Sequence, residues 1–234
     1  MCEQHFAGKC ILSCDVFHHA APSGHITHLL ACGSTDGRIV VWDFTDVVDA
    51  CVAADHEQSA PITWNADLSK VLQYQAHKMG VNCLVMKPCR DESASNVCCV
   101  VISGGDDQAL SVAGLRAPDA SAPPAQACVE LAYLERVIDC SSCSINGIDS
   151  DGRIIFCAGC DQRMDVWALE PPPNFSTSAD VPPVAPSAAQ CLRQCGACCM
   201  ELPDVGDLSA LKDSDGQFHV VAVGEGMQRV HWHT

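Results

Sequence analysis

Basic residues are scarce in this sequence: 13 Lys and Arg stand against 29 Asp and Glu, for a net charge of −16. Gripping a phosphate backbone depends on Lys and Arg displacing condensed counterions, so this balance disfavours direct nucleic-acid binding and makes a protein surface the more natural partner. Aromatic residues are also few, at 5%, and Ala and Cys fill the apolar quota in their place. No apolar run approaches the ~18 residues of a membrane-spanning helix, so no membrane partner is expected. The opening Met1-Cys2-Glu3-Gln4-His5 lacks the basic-then-apolar pattern of a secretory signal. Eighteen cysteines would otherwise read as a disulfide framework. Without a signal the expected setting is a reducing, cytoplasmic one, in which most thiols stay free and pack as small hydrophobes. The sequence contains no G-x-S-x-G, no H-E-x-x-H and no P-loop. No nucleophile is paired with an identifiable base, so the chain reads as non-catalytic and without a cofactor.

What is present is a repeated hairpin. A hydrophobic run over 26–32 leads into Gly33-Ser34-Thr35-Asp36-Gly37, and a β-branched run over 39–41 leaves it to end in Trp42-Asp43. Asp36-Gly37 supplies the positive backbone φ that a tight hairpin turn favours. The Trp-Asp ending is the mark of a WD40 repeat, the four-stranded blade of a β-propeller. Aligned on Asp36, the hairpin recurs with Asp107 in its turn and Ala113 at the Trp position. It returns with Asp161 and Trp167, and again with Gly226 in place of the turn Asp and Trp232 at the end. Positions 42, 113, 167 and 232 lie further apart than the about 40–45 residues a blade needs, so each interval holds one blade plus an insertion.

The fold expected is therefore all-β: a partial WD40 propeller of about four blades, read as the C-terminal part of a larger propeller protein. The blades are placed at 9–77, 80–138, 144–170 and 191–234. Pro-rich insertions are placed at 114–127 and 171–190, and 47–55 is a short helix or a further insertion. Residues 97–103 form a continuous apolar run, which suits a strand buried on both faces. Residues 129–137 are read as an outer strand, though their Leu-rich pattern also suits a short helix.

Two sets of side chains invite a chemical reading. Asp36, Asp107 and Asp161 recur at one turn position, so a structural role outweighs a catalytic one. The second blade offers His77 and Ser103 to Asp107, whereas the third has no evident entrance histidine for Asp161. Cys140 and Cys143, followed by Cys157 and Cys160, form two Cys-x-x-Cys pairs with the donor set of a tetrahedral zinc site. Against zinc, Cys157 and Cys160 already belong to a strand and its turn, and Cys195 and Cys198 show that close cysteine pairs recur here.

Three further segments narrow the family. Ala76-His77-Lys78-Met79-Gly80-Val81-Asn82 precedes the turn at Ser103-Gly104-Gly105-Asp106-Asp107. Ser144-Ile145-Asn146-Gly147-Ile148 precedes Asp161-Gln162-Arg163 and Trp167. Leu202-Pro203-Asp204-Val205-Gly206-Asp207-Leu208 precedes Gly224-Glu225-Gly226 and Trp232. In this order they resemble the C-terminal end of the WD-repeat protein 6 family, the WD-repeat regulators of tRNA wobble-position 2′-O-ribose methylation. The resemblance implies a non-catalytic scaffold that binds an FtsJ-type, S-adenosylmethionine-dependent methyltransferase and meets tRNA indirectly through that complex. Cofactor and catalytic residues would belong to the partner. The WD40 hairpin register implies that Asp36, Trp42, Asp43, His77, Ser103, Asp107, Asp161, Trp167 and Trp232 are structural WD-turn residues. A generic WD40 interaction adaptor and a zinc-binding module are the rival readings.

Overall fold

The structure, a computed structural model, describes residues 8–20, 24, 26–53, 71–89, 97–116, 129–170 and 191–233. The insertion at 171–190 and residues 117–127 lie outside these, while 114–116 belong to a strand. Four antiparallel sheets follow one another along the chain. The first contains β1 (Ile11–Ala20), β2 (Ile26–Ser34), β3 (Arg38–Asp43) and β4 (Val71–Gln75), paired in that order. The helix α1 (Thr45–Ala53) lies in the connection from β3 to β4. The second sheet is built from β5 (Val81–Pro88), β6 (Val97–Gly105), β7 (Leu110–Arg116) and β8 (Glu130–Val137). Pairing of Leu110 with Val137 and of Val112 with Glu135 makes 130–137 a strand rather than a helix.

The third sheet consists of β9 (Ile145–Ser150), β10 (Ile154–Gly159), β11 (Arg163–Leu169) and β12 (Leu192–Cys199). Here the hydrogen bonding departs from the sequence reading, which placed the residues after 190 in the last blade. Met164 pairs with Cys198 and Leu169 with Leu192, so β12 is the outer strand of the third blade, supplied from beyond the insertion. The fourth sheet has three strands among the described residues, β13 (Val205–Lys212), β14 (Phe218–Gly224) and β15 (Gly226–Trp232). Together the sheets form a partial WD40 β-propeller of four blades, with the inner strands β1, β5, β9 and β13 packed side by side in sequence.

The core lies between blades. Val41, Tyr74, Val81, Val101 and Leu115 fill the space between the first and second. Ile102, Val112, Ile145, Ile155 and Trp167 fill the next, and Phe156, Met164, Val205, Phe218 and Val220 the third. Each fully buried Val, Leu, Ile or Phe contributes about 1.5–3 kcal/mol. β6 is buried along its whole length because alternate side chains meet different neighbours: Val101 faces the first blade and Ile102 the third.

One close approach sets the spacing of the blades. Gly33 on β2 lies against Val81 at the start of β5, and Gly104 on β6 lies against Ile145 at the start of β9. A Cβ on either glycine would collide with the β-branched side chain opposite. The same position in the third blade is Ala158, buried in one cluster with Val205 at the start of β13. A small residue on the second strand therefore seats the first residue of the following inner strand.

Candidate functional site

In the second, third and fourth blades a side chain at or just after the hairpin turn is tied to the segment entering that blade. In the second blade His77, completely buried, places Nδ1 2.8 Å from Asp107 and Nε2 2.9 Å from the Ser103 hydroxyl. The backbone N–H of Lys78 donates to the other Asp107 oxygen at 2.7 Å. Burial pushes the His77 pKa down, outweighing the nearby Asp107 carboxylate. An ionised carboxylate only accepts, so Nδ1 carries the proton toward Asp107 and Nε2 accepts from Ser103. Burial would raise Asp107, but hydrogen bonds from Lys78, His77 and Ala109 outweigh it and hold the carboxyl below its ordinary range.

The third blade makes the tie without a histidine. Ser141 and Ser142 donate their hydroxyls to Asp161 at 3.1 and 2.8 Å, and the Ser142 N–H adds a bond at 3.2 Å. Ser141 stands four residues before β9, as His77 stands four before β5. Burial opposes ionisation of Asp161, but these serine bonds lower its pKa on balance. In the fourth blade, where Gly226 replaces the turn Asp, Gln228 takes over. Its side-chain oxygen accepts the N–H groups of Glu201 and Leu202 at 2.8 and 3.3 Å, at the positions equivalent to His77 and Lys78. Neither the serine pair nor Gln228 carries a motif. Only the shared offset from the next inner strand reveals them.

In the first blade Asp36 accepts from Ser34 at 2.5 Å and from the Arg38 side chain at 2.7 Å. Burial would raise its pKa, yet the Arg38 and Ser34 bonds hold it at about 2. Asp43 accepts the N–H and hydroxyl of Thr45 and so fixes the start of α1. Trp42 is buried with Cys32 and Val40. Trp167 packs between the second and third blades, and its buried indole N–H has no partner among the described residues. Trp232 lies against Gly196 of β12.

The turn carbonyls close the outer edge in the same way. Gly37 O accepts from Ala76 and His77, Gln108 O from Cys140, and Gln162 O from Met200. All three turn residues have positive φ. At Gly37 only glycine fits, since a Cβ would also strike the His77 carbonyl.

The four cysteines of the two Cys-x-x-Cys pairs come together two by two. Cys140 is near enough to the buried Cys157 to raise its thiol pKa, and Cys143 Sγ accepts the backbone N–H of Cys160 at 3.0 Å. Among the described residues no group of three or more His, Cys, Asp or Glu side chains is arranged to hold a metal ion. A cavity of about 590 Å³ opens beside this entrance, lined by Gln108, Ser141, Ser142, Arg163, Trp167 and Gln194 among others. Its serine hydroxyls are engaged by Asp161, and no histidine lines it. The arrangement holds turns in place and orders loops.

No helix among the described residues is long and apolar enough to cross a membrane. No family model matches the chain. Its sequence is similar to curated proteins named tRNA (34-2'-O)-methyltransferase regulator WDR6. It is 29% identical to the Bos taurus protein over 175 residues, covering 69% of this chain and 14% of that protein. The identity to the Mus musculus protein is 24% over 234 residues, covering 96% of this chain and 19% of that one. For the Homo sapiens protein it is 28% over 187 residues, covering 76% and 16%. The chain thus spans less than a fifth of the length of these relatives. Among solved structures, Sqt1 of Chaetomium thermophilum superposes with a TM-score of 0.52 at 12% identity, over 94% of this chain and 43% of that one, a likeness of fold. By architecture the chain is a segment of WD40 β-propeller, and by sequence it resembles the WDR6 regulators of tRNA 34-2′-O-methylation.

Proposed function

We propose that the chain is a non-catalytic WD-repeat scaffold supporting 2′-O-ribose methylation at the tRNA wobble position, and that it does so by binding an FtsJ-type methyltransferase. The observation that carries this reading is the similarity to WDR6 proteins of several mammals, which reaches across nearly the whole chain in the mouse comparison. Propeller blades present loops on a rigid frame, which suits a docking subunit. The net charge of −16 suits a protein partner better than a tRNA backbone, so tRNA meets this segment through the complex. The methyl donor and catalytic residues belong to the partner enzyme, and the complex works in the cytoplasm.

Removing the gene tests the reading. Selective loss of 2′-O-methylation at the wobble nucleotide, with ribose methylation elsewhere in the anticodon loop intact, is the expected result. The full protein should also co-purify with a ribose methyltransferase. Unchanged wobble methylation overturns the proposal and leaves a generic WD40 adaptor.

A further inference from the structure

The third blade's entrance loop carries a thiol pair that the turn tie does not use. Cys143 Sγ accepts the backbone N–H of Cys160 at 3.0 Å, and a Cβ placed on Gly159 would lie 2.7 Å from the same sulfur. The Cys143 sulfur is therefore held directly over the β10–β11 turn. Cys160 is exposed and Cys143 half-buried, whereas Cys157 in the companion pair is buried. Both partners sit on segments already fixed to each other, because Ser141 and Ser142 bond Asp161, the residue after Cys160. Little chain ordering remains for a covalent link between them.

We propose that Cys143 and Cys160 are a peroxide-sensitive pair that closes to a reversible disulfide, locking the entrance loop onto the β10–β11 turn. The oxidant is a hydroperoxide. The exposed Cys160 thiolate attacks the peroxide oxygen, the O–O bond breaks, and Cys160 becomes a sulfenic acid as hydroxide leaves to be protonated to water. Cys143 Sγ then attacks the Cys160 sulfur, the S–O bond breaks, and a second water departs carrying the Cys143 proton. Two thiols lose two electrons and two protons, and one hydrogen peroxide becomes two waters. Burial foremost, with the Asp161 charge and the Cys160 thiol adding to it, pushes the Cys143 thiol pKa up, which suits the second, resolving role. The link closes a short loop in a blade otherwise held, among the described residues, by non-covalent contacts. Oxidation therefore raises the melting temperature, on the order of 5 °C, and dithiothreitol reverses the change.

The purified 234-residue chain, treated with stepwise hydrogen peroxide and digested without reduction, should yield a peptide joining Cys143 to Cys160 before any other cross-link. Cys160→Ser, at an exposed site, should abolish that peptide and the thermal shift while leaving the reduced protein's melting unchanged. Cys143→Ser should leave Cys160 as a sulfenic acid trapped by dimedone. A first cross-link between other cysteines, the Cys140–Cys157 pair included, overturns the proposal. So does over-oxidation of Cys160 without a cross-link, or one zinc ion per chain that shields all four thiols from peroxide.

Discussion

The Asp149 carboxylate on β9 accepts the backbone N–H of Ala210 on β13 at 2.8 Å, bridging the third and fourth blades. Asp15 stands in the same relation to Met86, joining β1 to β5 at 2.7 Å. The second blade has Val85 at this strand position, and Lys87 instead reaches Asp149 at 2.7 Å. A carboxylate at this strand position thus bonds the main chain of the next inner strand, to which its own backbone is not paired. Asp149 is 9% exposed, so its loss strands a donor and unpairs Lys87. Asp149→Ala should destabilise the chain by about 1–3 kcal/mol, the range for losing a hydrogen bond to a charged group. A urea titration beside the exposed Asp204→Ala, expected to change stability by no more than about 0.5 kcal/mol, checks this.

Gln228 makes a more local prediction. It is the only side chain bonded to the Glu201 and Leu202 amides among the interactions of the described residues. Gln228→Ala should release both N–H groups at a cost of about 1 kcal/mol. Hydrogen exchange at those two amides should accelerate by roughly fivefold, while exchange in β9 and β10 stays as it was. Gln228→Glu keeps an acceptor at the same reach and should restore protection. Equal acceleration throughout the chain would show that the glutamine acts on global stability instead.

How much of this was legible in the sequence depends on the kind of signal. The propeller was readable because Asp36-Gly37, Asp107 and Asp161 each follow a β-branched or apolar run and precede a second one, a pattern local in sequence. β12 joins the third blade rather than the one its sequence position suggests, because strand partnership is a non-local fact. The 171–190 insertion separates Leu192 from its partner Leu169, and proximity in sequence favoured the following hairpin. The Gly33–Val81 and Gly104–Ile145 approaches were invisible for the same reason, since each joins two blades. The His77–Asp107 contact could be anticipated from residue types. The serine pair and Gln228 could not, because serine and glutamine are ordinary surface residues until their offset from the next inner strand is known.

Tyr74 offers a prediction of opposite sign. Its ring is buried between the first two blades, but its hydroxyl has no partner among the described residues. Burial accordingly drives the phenol pKa upward, the direction expected for an oxygen removed from water. Leaving a buried hydroxyl unsatisfied costs about 1–3 kcal/mol. Tyr74→Phe keeps the ring and removes the unsatisfied oxygen. It should raise the urea midpoint or leave it unchanged, and a fall of more than about 0.5 kcal/mol would reveal a hydrogen bond to the hydroxyl.

Acid should loosen the second blade first, through His77. Its pKa lies below the ordinary histidine value in the folded chain because burial outweighs Asp107. In the unfolded chain the imidazole takes a proton near pH 6.5. Below that pH the unfolded state binds more protons than the folded one, so stability falls as pH drops toward the lower folded pKa. Above about pH 7.5, a unit over the unfolded value, the imidazole is essentially neutral in both states and its contribution is nearly complete. Asp107 is also lowered, and its contribution is lost only further down, below the ordinary carboxylate range. Urea midpoints measured between pH 7.5 and 5 should decline steadily in the native sequence. In His77→Gln the level should start lower, because the Asp107 and Ser103 contacts are impaired, and the slope between pH 7.5 and 5 should flatten. A native profile that is level across this window, or a variant with the same slope, would mean that the buried imidazole takes up its proton as readily folded as unfolded.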